Sequence, residues 1–269
     1  MTNILDTIIA HKRREVARRK NAVPVSQLER REYFQLETLP LADYLLDATR
    51  TGIIAEFKRR SPSKGVINAD ADVVTVTKAY ADNGASCLSV LTDEEFFGGS
   101  DEDLKKVRIN TIPILRKDFI INEYQLLEAK SIGADVVLLI AACLSPKEVK
   151  HLATFAKGLG LDVLLELHDE TELGHICDET DIVGINNRDL KTFQVDIGKS
   201  LQMATKLPVG KIKIAESGIS TVEDIILFRE NGFHGFLIGE NFMKQPDPAI
   251  AFARFAETLL ASRVGKHRD

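Results

Sequence analysis

From residue 53 onward, short runs of aliphatic and β-branched residues alternate with longer stretches whose apolar positions recur at helical spacing. Runs that are apolar on both faces suit buried strands, and the helices between them supply crossovers, so the alternation predicts a parallel sheet. The runs stand at Ile53–Phe57, Cys87–Leu91, Pro113–Arg116, Val136–Ile140, Val163–Leu167, Ile182–Ile185, Lys211–Ala215 and Gly235–Ile238. Eight βα repeats close a barrel. In a doubly wound open sheet the first strand ordinarily leads into a Gly-rich turn, whereas here the turn reads Lys58-Arg59-Arg60-Ser61-Pro62. The expected fold is therefore α/β: a (β/α)8 TIM barrel formed by residues 49–269 as one domain, with residues 1–48 as an N-terminal helical extension.

Local signals agree with that pattern. Ser145-Pro146-Lys147-Glu148 offers a first-turn proline, and Asn231-Gly232 tolerates a left-handed helix ending. The extension contains an amphipathic helix with Ile4, Ile8, Ile9 and Val16 on one face and the charged stretch Lys12 to Arg19 mostly on another. Such a helix either caps the mouth of the barrel or plugs its bottom, and both positions fit the pattern.

Composition narrows the function classes. A 269-residue chain with 44% hydrophobic residues can bury a sizeable core as one domain. Its net charge of -5 has no basic footprint for nucleic acid, since stretches such as Lys12-Arg13-Arg14 are offset elsewhere. Cys87, Cys143 and Cys177 are too few, and odd in number, for a disulfide framework, which fits a reducing cytoplasm. The longest apolar run, Val136 to Leu144, is too short to cross a bilayer, and no secretory signal core opens the chain, so no membrane role is expected.

In a barrel of this kind, catalytic groups come from the carboxyl ends of several strands. Here the first run ends Ala55-Glu56-Phe57-Lys58, the third Leu115-Arg116-Lys117-Asp118 and the fifth Leu165-Glu166-Leu167-His168. The sixth continues into Asn186-Asn187-Arg188, and the seventh into Ala215-Glu216-Ser217-Gly218. Side chains alternate along a strand, so Glu56 and Lys58 share a face, Lys117 continues the face of Leu115, and Asn186 travels with Arg188. Taken singly, a charged strand end is ordinarily a solvated terminus or part of a capping ion pair. Recurrence on five strands at the same end points instead to a convergent cluster. Desolvation would push a lysine there toward proton donation, while its charge would keep neighbouring carboxylates ionised as bases.

Ser217-Gly218-Ile219-Ser220 and Ile238-Gly239-Glu240-Asn241 follow the last two runs, where glycine allows close backbone approach to a phosphate. Ser61-Pro62-Ser63-Lys64-Gly65 reads as a mobile loop able to add a hydroxyl, or as an ordinary turn. Asp93 to Gly99 reads as a second covering loop whose Phe96 and Phe97 pack on a ligand ring or on the lid helix. His168 beside Glu166 and Asp169 invites a metal reading. It lacks a second set of ligands, because His11, His151, His175, His234 and His267 fall in helices or tails, so neither metal nor organic cofactor is expected.

The runs Ile54–Ser63, Leu115–Phe119, Leu165–His168, Gly184–Leu190 and Ala215–Ile219, with the opening Ile4-Leu5-Asp6 and Lys12 to Val16, resemble indole-3-glycerol-phosphate synthases across nearly the whole chain. The resemblance implies a carboxy-lyase of tryptophan biosynthesis that converts 1-(2-carboxyphenylamino)-1-deoxyribulose 5-phosphate to indole-3-glycerol phosphate with loss of carbon dioxide and water. It implies Lys117 as general acid, Glu166 as stabiliser of the developing cation and later base, and Lys58 near the substrate carboxylate or departing hydroxyl, with Glu56 beside it. Asn186 and Arg188 would orient the substrate, and Glu216 would support neighbouring partners. Ser61, Ser217, Gly218, Gly239 and the Glu240 backbone would hold the phosphate. Glu240 departs from the Ser or Thr expected there, and its carboxylate should turn away from a dianion. Another phosphate-binding isomerase barrel, or a catalytically silent binding barrel, would share part of this pattern. The expected partner is a small phosphorylated molecule, and the chain a monomer or weak homo-oligomer.

Overall fold

Eight parallel strands close into a barrel, each pairing with its neighbours in chain order and the last returning to the first. They are β1 (Ile53–Phe57), β2 (Cys87–Leu91), β3 (Ile114–Lys117), β4 (Val136–Ile140), β5 (Asp162–Leu167), β6 (Ile182–Asn186), β7 (Ile212–Glu216) and β8 (Gly235–Ile238). The computed structural model describes residues 4–189 and 193–265, with side chains as far as 262. Leu190 of the Gly184–Leu190 run and His267 lie outside the described residues.

Four strands differ from the sequence expectation, each by one residue at one end or at both. β3, β6 and β7 each run on to their polar end residue, because the parallel register pairs Leu91 with Lys117 and Asn186 with Glu216. Pro113 stays outside β3: it has no N–H, and only its carbonyl serves the ladder, accepting from Leu88 N at 2.9 Å. β5 starts earlier, at Asp162, whose partner across the ladder is Val136.

The helices are α1 (Ile4–Ala22), α2 (Val25–Leu28), α3 (Leu41–Leu46), α4 (Val73–Asp82), α5 (Glu94–Phe97), α6 (Asp101–Val107), α7 (Glu123–Ser131), α8 (Pro146–Gly158), α9 (Ile197–Ala204), α10 (Val222–Glu230), α11 (Glu240–Met243) and α12 (Pro248–Gly265). Ser145 and Glu148 close a capping box on α8, and Gly232 takes φ +80 after α10, as the local signals require. Between β5 and β6 the crossover is a short 3₁₀ segment, Glu170–His175, rather than an α-helix.

Alternation along the strands builds two cores. Ile54, Leu115, Leu138, Leu164, Ile214 and Leu237 face inward and fill the barrel with Leu41 and Leu45 of α3. Their neighbours Ile53, Ala55, Val137, Leu165 and Ile185 face outward and pack under the helices. α3 therefore closes the amino end of the barrel, where Leu41 N donates to Asp162 Oδ2 at 2.8 Å and Leu39 N to Asp135 Oδ1 at 2.9 Å.

α1 lies over the opposite end, with Ile4, Leu5 and Ile8 lining the cavity at the carboxyl ends of the strands. The extension thus occupies both positions left open by its amphipathic pattern. Its charged residues correct that pattern in one respect: Lys12 and Glu15 lie on the buried side with Val16. They are tolerated there because each meets an opposite charge.

Candidate active site

The carboxyl ends of the strands surround a cavity of about 300 Å³. Its floor is apolar, formed by Leu138, Ile140 and Leu237, and its upper wall includes Ile8, Phe97 and Phe119. Phe97 and Phe119 face each other with ring centres 6.0 Å apart, while Phe96 packs edge-on to His11 of α1 at 5.6 Å. Phe96 of the Asp93–Gly99 loop thus packs on the lid helix, and Phe97 lines the cavity.

Into this cavity the inward parity of the strands brings Glu56, Lys58, Lys117, Glu166, Asn186 and Glu216 together. Lys58 Nζ donates to Glu56 Oε1 at 2.6 Å. Lys117 Nζ bridges two other strands, donating to Glu166 Oε2 at 3.2 Å and Glu216 Oε2 at 3.0 Å. Asn186 Nδ2 donates to Glu166 Oε1 at 3.1 Å. His168 Nε2 lies 2.9 Å from that same oxygen, so His168 belongs to the site through Glu166. From sequence this histidine is considered only as a metal ligand. Its inward parity with Glu166, two residues away, was the available signal. No group of potential metal ligands occurs among the described residues.

Small residues make this crowding sterically possible. A Cβ on Gly184 would overlap Glu216 Oε1, and one on Gly239 would stand 2.7 Å from Glu56 Oε1. Glycine at these two points is space for a carboxylate as much as turn chemistry.

Electrostatics then divide the carboxylates. Burial alone would raise all three, but the Lys58 and Lys117 ammoniums hold Glu56 low, and Lys117 with His168 and Asn186 holds Glu166 well below the usual range. Glu216 goes the other way: burial and the neighbouring Glu166 charge outweigh Lys117 and push it up to about 8. Two ammoniums and the His168 ring face the three carboxyls of this cluster. Lys117 differs from the sequence expectation. Desolvation works to lower it, but Glu216, Glu166 and Glu56 more than reverse that effect, so it is raised and stays firmly protonated. His168 is likewise raised, because Glu166 outweighs its burial.

The other candidates form the rim. Ser61, Arg188, Ser217, Gly218, Gly239 and Glu240 all line the same cavity. Ser217 and Gly218 take successive left-handed conformations, φ 66 and φ 73, an uncommon choice for serine. Asn187 Nδ2 steadies that turn by donating to Ser217 O at 2.7 Å. Glu240 does not turn away from its neighbours: Arg188 Nη2 donates to its Oε2 at 3.2 Å, and Lys64 Nζ lies 3.6 Å from its Oε1. Two cations therefore neutralise it, which removes the objection to an acidic residue in the loop.

Fold and site define an enzyme class, a (β/α)8 barrel whose ammonium–carboxylate mouth adjoins glycine-containing loops suited to a phosphorylated ligand. Comparison with known proteins narrows it. The family model described as Indole-3-glycerol phosphate synthase matches residues 5–255. A protein of that description from Bacteroides thetaiotaomicron is 46% identical over 263 residues, spanning 96% of this chain and 100% of its own. Another, from a Polaromonas species, is 42% identical over 259 residues, 94% of this chain and 98% of its own. Among solved structures, 3-hexulose-6-phosphate synthase from Salmonella typhimurium shares the fold alone, with TM-score 0.61 and 14% identity over 78% of this chain and 98% of that one. The chain belongs to the indole-3-glycerol phosphate synthase family, carboxy-lyases of tryptophan biosynthesis that bind a phosphorylated substrate. No helix among its described residues is long and apolar enough to cross a membrane.

Proposed function

We propose that the mouth converts 1-(2-carboxyphenylamino)-1-deoxyribulose 5-phosphate to indole-3-glycerol phosphate with Lys117 as general acid. The ring carbon bearing the carboxylate attacks the ketone carbon, a carbon–carbon bond forms, and the carbonyl electron pair takes a proton from Lys117 Nζ. Glu166 stabilises the cationic ring that results. The electrons of the bond to carbon dioxide then neutralise that ring as carbon dioxide leaves. Finally the hydroxyl departs as water, assisted by an ammonium, and Glu166 removes the ring proton. Glu216, whose proton affinity is raised, accepts from Lys117 Nζ at 3.0 Å and would return a proton to it after the transfer.

Lys58 lies by the substrate carboxylate or the departing hydroxyl, and Glu56, 2.6 Å away, fixes its ammonium. Asn186 orients Glu166, and Arg188 with Ser61, Ser217, Gly218, Gly239 and the Glu240 backbone takes the phosphate. Every group in this scheme comes from one chain, so a monomer or weak homo-oligomer is sufficient, with residues 1–48 capping a single barrel domain. Three free thiols suit a reducing cytoplasm.

The observation that carries this reading is the Lys117 ammonium bridging Glu166 and Glu216 inside the cavity. Lys117→Ala should lower turnover by about 10³-fold or more while substrate binding stays within about tenfold, because the acid acts chiefly in the transition state. Fluorescence of the indole product measures it. Turnover at the parental rate would remove Lys117 from the mechanism.

A further inference from the structure

The roof helix is fastened to the strand ends by a buried charge that is not itself part of the cavity lining. Lys12 of α1 is 1% exposed, and its Nζ lies 2.9 Å from each of Glu15 Oε2, Asp93 Oδ2 and Asp118 Oδ1. Glu15 is on the same helix, but the other two belong to different parts of the mouth. Asp93 caps α5, accepting from Phe96 N at 2.7 Å and Phe97 N at 3.2 Å, and Phe97 lines the cavity. Asp118 follows Lys117 directly. Its second oxygen accepts from Thr92 Oγ1 at 2.7 Å and Arg116 Nη2 at 3.3 Å, and its first from Phe119 N at 2.8 Å.

One ammonium therefore joins three things: the roof, whose cavity-lining Ile8 lies one turn before Lys12, the Phe97 wall, and the end of the strand that carries the acid. Nearby charge makes it hard to replace. Arg116 and Arg19 are already engaged with Asp101 and Glu128, so the buried network holds Lys12, Arg19 and Arg116 against Glu15, Asp93, Asp101, Asp118 and Glu128. Without Lys12, two fully buried carboxylates would face each other with no ammonium between them.

We infer that Lys12 is a positioning residue for the reaction, a bolt that seats α1 over the cavity through Asp93 and fixes the Lys117 strand end through Asp118. This rests on the reading of Lys117 as the acid. Burial works against the Lys12 charge, but the three carboxylates overcome it and raise its proton affinity, so the bolt stays charged through the neutral range. Asp118 is correspondingly held below the usual carboxylate range, with Lys12 the largest influence opposing its burial.

Lys12→Met keeps the length of the stem and removes the charge. Its kcat should fall by about 100-fold and its KM should rise, since small misplacements of an acid and a roof cost that much. Inhibition by inorganic phosphate should stay within about twofold, because most of the groups that take phosphate, Ser217, Gly218, Gly239 and the Glu240 backbone, lie in the loops after β7 and β8. Lys12→Arg should regain most of the lost kcat, and adding Lys12→Met to Lys117→Ala should lower turnover no further. Parental kcat and KM in folded Lys12→Met would overturn the proposal, as would phosphate binding that weakens in step with kcat, the mark of a merely structural residue.

Should Lys12→Met fail to fold, Asp118→Asn and Asp93→Asn keep their hydrogen-bonding shape and test each arm. Asp118→Asn should act mainly on kcat and Asp93→Asn mainly on KM, and two unchanged proteins would reject the bolt. Failure here is distinguishable from failure of the acid assignment: an active Lys117→Ala overturns the acid, whereas an inactive Lys117→Ala beside a normal Lys12→Met overturns only the bolt.

Discussion

The two ends of the barrel use the same residue types for opposite ends. At the amino end, Asp135 accepts from Leu39 N at 2.9 Å, Ile114 N at 2.8 Å and Arg108 Nη1 at 2.5 Å. Asp162 accepts from Leu41 N at 2.8 Å and Lys157 Nζ at 3.1 Å. These carboxylates hold backbone in place, tying the α3 plug to the strands. At the carboxyl end, Glu56 is held by Lys58, and Glu166 and Glu216 share Lys117, so the anchors are side chains that also line the cavity. A carboxylate satisfied by fixed N–H groups stabilises the fold whatever is bound, whereas one satisfied by an ammonium can exchange that partner when a substrate arrives. The difference separates stability from chemistry within one fold.

Substitutions at each end should break the comparison in different observables. Asp135→Ala leaves two backbone N–H groups without their acceptor and the nearly buried Arg108 without its counter-charge, and should cost about 3 kcal/mol of stability. Chemical denaturation would show it, and kcat of the folded fraction should stay within about twofold. Loss of kcat in a folded Asp135→Ala protein would mean that the ends are not independent. Gly184→Ala is the reciprocal case. Its new Cβ overlaps the far end of a side chain, Glu216 Oε1, so the carboxylate can move and the fold survives. Moving it breaks the 3.0 Å contact with Lys117, and kcat should drop by about 100-fold with a melting temperature near the parent's. A normal kcat would show that Glu216 need not sit where it does.

How much of this was legible in sequence depends on whether the cause is local. The strands and the inward parity of Glu56, Lys58, Lys117 and Glu166 follow from period-two alternation, which needs no tertiary information. The β5–β6 crossover was misjudged because periodicity does not distinguish a single 3₁₀ turn from a helix start. Lys12 is a lysine in a charged stretch, Lys12-Arg13-Arg14-Glu15, and sequence puts it with its solvated neighbours. Only the arrival of Asp93 and Asp118 from distant strand ends makes burial of its charge tolerable. The same holds for the raised Lys117 and for Glu240, whose partners Arg188 and Lys64 come from other loops. Proton affinities in a cluster are set by three-dimensional neighbours, and composition names only the participants.

The pH dependence of stability is the sharpest test of that cluster. Glu216 is pushed up to about 8 by burial and by Glu166, against an ordinary value of 4.5. Between those limits the folded protein keeps a proton that the unfolded chain has released, so stability must fall as pH rises through the window. Glu216→Gln preserves the shape and hydrogen-bonding groups of the protonated acid and has nothing to titrate. The variant should therefore gain on the parent as pH rises, by about 1 kcal/mol per pH unit, an amount set by one proton. His168 is also raised, by Glu166 and Glu172 against its burial with a smaller push from Glu216, so most of its own titration is common to both proteins. Urea unfolding of the pair at about pH 5.5 and about pH 8 reads the change directly. A difference that does not vary with pH would mean that Glu216 is ionised like Glu166, leaving Lys117 with no proton to draw on after the first transfer.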